Sequence, residues 1–106
     1  MATKTKTTTK ATNHNPAVIV RTYSAGVHYG KLAAQSADGK RVTLTGARRI
    51  WSWKGANTLH EIALRGVGAG SRVSERVESI DLTEAIEILR CSPAGETAME
   101  AASWPA

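Results

Sequence analysis

The chain has 106 residues, a formal net charge of +5 and one cysteine, Cys91. That length allows one small domain; the lone cysteine excludes an internal disulfide, and no apolar run approaches the roughly 20 residues of a membrane span. A folded unit of this size buries only about 60% of its unfolded surface, so oligomerisation is the expected supplement to its stability.

Residues 1–15, MATKTKTTTKATNHN, repeat Thr and Lys without apolar periodicity. They cannot bury enough apolar surface to offset chain entropy, and are expected to form a disordered basic tail in which Lys4, Lys6 and Lys10 are solvated. The tail lacks the apolar segment of a signal peptide. Residues 16–23, PAVIVRTY, are β-branched and end near Gly26, which predicts a strand. GVHYGKLAAQ follows after a tight turn, with Val27, Tyr29, Lys31 and Ala33 on one face and His28, Gly30, Leu32 and Ala34 on the other. Gly30 inside this pattern suggests a bulge or a close backbone approach. The Asp-Gly of SADGK is a hairpin signal. RVTLTG and ARRIWSW are then read as a third and a fourth strand of a meander.

From KGANTLHEIALRG the period becomes helical: Leu59, Ile62, Ala63 and Gly66 recur at that spacing, with Leu64 off the stripe. A helix is expected over residues 57–66, capped by Thr58 with Glu61, or by Asn57, and ended by Gly66. VGAGSR reads as a flexible connector. VSERVESIDLTEAIEILRC fits a helix through Leu82, Ala85, Ile86 and Leu89 and fits strands through its β-branched residues; strands are favoured. Residues 92–106, rich in small residues and proline, are expected to be a flexible tail. The domain is thus residues 16–91, and the expected fold class is α+β: a small antiparallel β-meander or sheet with one short helix, assembled as an oligomer.

Three stretches carry a resemblance: VRTYSAGVHYG, ARRIWSWKGANTLHEIALRGV and SIDLTEAIEILRC. Together they resemble a family of small proteins from tailed phages and prophages, over about residues 17 to 92. The resemblance implies a viral origin and expression in the bacterial host cytoplasm. It brings no activity with it and so assigns no catalytic residue.

Charge is unevenly placed. Residues 1–55 hold ten Lys/Arg against one acid, Asp38, whereas residues 56–106 hold four Arg against eight Asp/Glu. A basic half points to an anionic partner, nucleotide or nucleic acid; the alternative is that the two halves face each other within the fold or between subunits. RRIWSW lies in the basic half. On an extended strand Arg49, Trp51 and Trp53 share one face, and Arg48, Ile50 and Ser52 the other. Arginine suits planar phosphate recognition, and an indole stacks a base for roughly 1–3 kcal/mol. The competing use of the rings is packing, under the helix or against a neighbouring subunit. The second candidate is TYSAGVHYG, where Tyr23, Ser24, His28 and Tyr29 cluster around a glycine turn whose backbone N–H groups would hold a phosphate, with the Arg21 charge close by; the alternative is a plain hairpin whose tyrosines pack on the sheet. Ser24 has no supporting base, and no carboxylate orients His28.

No spacing of His14, His28 and His60 resembles a zinc motif. GVGAG lacks the Lys and Ser/Thr of a phosphate loop. No cofactor is implied, and an enzyme is the least supported class. The resemblance implies a small phage-type accessory protein, by analogy of origin an anti-defence one, and the residues point first to one that binds an anionic nucleotide-like ligand as a homo-oligomer through Arg21, Tyr23, His28, Arg48, Arg49, Trp51 and Trp53. The alternatives are a nucleic-acid binder and a protein–protein module that grips a host defence protein without a small ligand.

Overall fold

The computed structural model of the protein describes residues 15–103. Apart from Asn15, the basic tail expected over residues 1–15 lies outside them, as does Trp104. Three strands open the chain: β1 (Ala17–Thr22), β2 (Val27–Gln35) and β3 (Val42–Ser52). After α1 (Leu59–Arg65) come β4 (Arg72–Val73), β5 (Val77–Leu82), β6 (Ala85–Arg90) and α2 (Pro93–Ala101). The fold is α+β: a six-stranded antiparallel sheet carrying two short helices.

Strand order is β4-β3-β2-β1-β6, and β5 shares the far edge of β3 with β4. β5 covers Val42 to Ala47, and β4 covers Ile50 to Ser52. This topology forces the sheet to curl. β5 and β6 sit on opposite edges, yet only Thr83 and Glu84 join them. On a flat sheet they would lie about 19 Å apart at about 4.8 Å per strand step, beyond the roughly 11 Å that three Cα–Cα steps reach. The closure is pinned where Ala85 N donates to Lys40 O at 2.9 Å and Tyr23 N donates to Glu84 O at 3.0 Å.

Curling leaves two cores, one on each face. Val18, Val20, Val42, Leu44, Leu82 and Ala85 fill the concave side. Ala17, Ile19, Tyr29, Ile50 and Val73 meet Ile62 and Ala63 of α1 and Met99 of α2 on the other. β1 is buried on both faces, which is why AVIV is an unbroken apolar run and not an alternating one.

The sequence places β1 and β2 where they occur, and residues 77–90 are strands. Its third and fourth strands, however, are one. RVTLTG and ARRIWSW form the single strand β3, whose register shifts opposite Tyr29 and Lys31. Gly46 takes φ 55° there, in the left-handed region that favours glycine, so the strand bends without breaking. Gly30 faces this point across the pair.

α1 starts as expected: Thr58 Oγ1 accepts from Glu61 N at 3.4 Å, while the Glu61 carboxylate reaches one residue further back and accepts from Asn57 N at 3.2 Å. The connector VGAGSR is not a free loop. Gly68 N donates to Lys54 O at 2.7 Å, and the Ser71 hydroxyl accepts from Lys54 N at 2.8 Å and donates to Gly68 O at 2.7 Å.

The largest correction concerns residues 92–106. They are not a flexible tail throughout, because residues 93–101 form α2, with Met99 fully buried. Ser92 Oγ accepts from Gly95 N at 3.0 Å and Pro93 opens the first turn. A cap followed by proline is a helix-start signal; the small residues of PAGETAMEA obscured it.

Candidate functional site

β3 deals its side chains to two environments. Arg48 pairs with Tyr29 and turns to the helix side, where it is buried. Its Nε donates to Ser74 O and its Nη1 to Met99 O, both at 2.9 Å. Burial and the neighbouring Arg76 charge lower its pKa, with Glu100 and Tyr29 opposing; two backbone carbonyls accept from the guanidinium. The same layer holds Tyr29, whose hydroxyl donates to Glu100 Oε2 at 2.6 Å, and Arg76, whose Nη2 lies 2.6 Å from Glu100 Oε1. Arg48 therefore fastens α2 to the sheet.

Arg49 pairs with His28 on the opposite face and is exposed. Its backbone is clamped to the β4–β5 connection: Arg49 N donates to Ser74 Oγ at 2.8 Å and Ser74 N donates to Arg49 O at 2.9 Å. Two residues on, Trp51 is 57% exposed, and the Arg72 guanidinium lies 5.4 Å from its ring centroid. This is cation–π geometry. Trp53, past the end of β3, packs instead with the helix-side core. The expected shared face of Arg49, Trp51 and Trp53 is thus divided: the strand ends at Ser52, and strand alternation ends with it.

The TYSAGVHYG turn does not gather a site. Thr22 N and Thr22 Oγ1 both donate to Gly26 O, at 3.0 and 2.8 Å, while Ala25 N donates to Thr22 Oγ1 at 2.8 Å. With Tyr23 N bonded to Glu84 O, these N–H groups are spent on the turn and do not form a phosphate cradle. Tyr23 is 78% exposed, and Arg21 pairs with Glu87 at 3.3 Å. Ser24 Oγ donates to Glu84 Oε1 at 2.7 Å. Glu84 and Glu87 are thus each engaged by a separate partner.

His28 is buried, 2.9 Å through Nε2 from Ala25 O. A carbonyl only accepts, so Nε2 carries the proton. Burial lowers the ring's pKa from 6.5, the Ala25 bond opposes, and Arg49 adds to the lowering; His28 is neutral at pH 7. The imidazole lines an apolar hollow of about 180 Å³ whose other walls include Ala47, Val77 and Ile80, with Arg49 and Glu75 also lining it. Sequence reasoning missed Arg72, Glu75 and Val77. Arg72 and Glu75 lie in a two-residue strand and its exit, too short for any period to mark, and Val77 opens β5.

Among the described residues no group of three or more His, Cys, Asp or Glu is placed to hold a metal ion, and no helix is long and apolar enough to cross a membrane. Cys91 is half-buried, and burial with Glu96 nearby pushes its thiol up to about 11, which leaves it a poor nucleophile at neutral pH.

The arrangement defines a small curled β-sheet protein with a basic, aromatic strip at one edge and a shallow apolar hollow beside it. The chain belongs to a family described as a domain of unknown function (DUF6948), whose model matches residues 15–99. Among curated proteins and among solved structures, none matches the chain.

Proposed function

We propose that the protein is a binding module for an anionic, nucleotide-like ligand, held on the strip formed by Arg49, Trp51 and Arg72. The observation that carries this reading is the exposed Trp51 with the Arg72 guanidinium stacked over it and Arg49 two residues away on the same strand. An indole offers a π-face to a planar ring, and two guanidiniums offer planar donor sets to phosphate. Of the seven residues that the sequence nominates, Arg49 and Trp51 stay in the site. Arg48, Trp53 and Arg21 serve the fold, Tyr23 points elsewhere, and His28 lines the adjoining hollow.

Association of copies forms part of this reading. The hollow is smaller than the roughly 300 Å³ at the lower end for small-molecule pockets, so a free nucleotide would need cover from a second subunit. A nucleic-acid strand would not, and the openness of the strip favours that second reading. A phage accessory role in a host cytoplasm, directed against nucleotide signals in host defence, suits such a binder.

Calorimetric titration with mononucleotides tests the proposal, alongside native mass spectrometry for subunit number and any carried ligand. Trp51→Ala is expected to weaken binding by about 1–3 kcal/mol and to leave the denaturation midpoint nearly unchanged, whereas Trp53→Ala is expected to lower the midpoint. Absence of heat with any nucleotide or oligonucleotide at tens of micromolar protein removes the reading. A protein that binds only as an oligomer supports the shared-site form of it.

A further inference from the structure

We propose that the ligand carries two bases joined through phosphate, one stacked on Trp51 and the other seated in the hollow between His28 and Val77. The inference rests on the binding reading above and specifies its ligand. Three observations support it.

The first is placement. Trp51, Arg49 and Ala47 follow one another at intervals of two residues along β3. Strand rise spaces such positions by about 6.6 Å, so the hollow at Ala47 lies about 13 Å along the strand from Trp51, with Arg49 midway. This matches two splayed bases with a phosphate between them.

The second is the character of the hollow. Ala47, Val77, Ile80 and the imidazole of His28 form its apolar part, which accepts the faces of a ring; the rest of its lining is polar or charged. Val77 is 50% exposed and Ile80 half-buried, so the apolar wall is open at the surface. At about 180 Å³ the hollow admits a base and not a whole nucleotide, which puts the sugar and phosphate outside it, on the Arg49 side.

The third is the polar lining. Arg49 and Glu75 both line this hollow and both are exposed. Arg49 supplies the cation for a bridging phosphate. The Glu75 carboxylate accepts only, and so suits a base that turns an N–H edge toward it, as the adjacent N1–H and N2–H donors of guanine do.

The shared chemistry has two sources, a cyclic dinucleotide or a single-stranded oligonucleotide. Titration of the full chain with mononucleotide, linear dinucleotide, cyclic dinucleotide and a six-nucleotide strand separates them. A two-base ligand is expected to bind at least tenfold more tightly than the mononucleotide of the same base. Val77→Glu, at a half-exposed position, should bring that ratio toward one; circular dichroism and thermal melting verify its fold. Preference for the cyclic compound assigns a small-molecule ligand, and a further gain with the strand assigns nucleic acid. Equal affinity for one-base and two-base ligands overturns the two-base inference and leaves the binding module standing. Absence of binding to all of them overturns both.

Discussion

His28 shows how one residue ties fold to site. It sits opposite Arg49 in the β2–β3 pair, lines the hollow, and closes the β1–β2 turn through Ala25 O. Burial favours the neutral ring, and the nearby Arg49 charge adds to that. The folded pKa lies below the unfolded value of 6.5, so the unfolded chain binds more protons as pH falls through this window. Linkage then gives stability that is intact above pH 6.5 and declines as pH drops toward the folded pKa. Urea midpoints measured from pH 8 to pH 5 should fall below pH 6.5 in the wild type. His28→Gln, which keeps a donor but does not titrate, should flatten that part of the profile. An unchanged slope in the variant would assign the acid sensitivity to other groups.

At the scale of elements, α2 decides more than its composition suggests. It brings one large side chain to the core, Met99, and four polar ties: Arg48 to Met99 O, Tyr29 to Glu100, Arg76 to Glu100 at 2.6 Å, and Lys31 to Glu96 at 3.2 Å. The exposed ion pair with Glu96 contributes little in water, whereas Met99 is fully buried. Met99→Ala should therefore cost about 2–5 kcal/mol, read from chemical denaturation, and Lys31→Ala much less; the reverse order would mean that the helix is held by charge and not by packing. The same element marks the limit of what could be read from sequence. β1, β2 and α1 announce themselves through local chemistry: β-branched runs, an Asp-Gly turn, and a Thr58 cap. α2 is amphipathic only through Met99, and its partner face on Tyr29 and Ile62 is assembled from distant segments. The site follows the same rule. Trp51 and Arg49 were visible as an alternating pair, but the burial of Arg48 under α2 and the arrival of Arg72 over Trp51 depend on pairings of residues more than 20 positions apart, which no local period encodes.

For the whole molecule, the question is whether the ligand meets a strip or a hemisphere. The basic half contains ten Lys/Arg, but the fold disperses the described ones. Arg48 is buried against carbonyls, Arg21 is paired with Glu87, and Lys31 with Glu96. Arg49 lies on β3 two residues from Trp51, and Arg72, from the other half of the sequence, lies over its ring. Salt dependence separates the two cases, because each phosphate neutralised on a single strand contributes about −0.7 to the slope of log affinity against log salt. A ligand held by Arg49 and Arg72 alone should give a slope of about −1.4. Recruitment of Lys4, Lys6 and Lys10 as well would steepen it to about −3.5. Titrations of an oligonucleotide between 50 and 300 mM salt distinguish these values, and deletion of the first ten residues should leave the shallower slope unchanged. A steep slope that the deletion abolishes would transfer the binding energy from the sheet to the N-terminal lysines, and with it the case for Trp51 as the centre of the site.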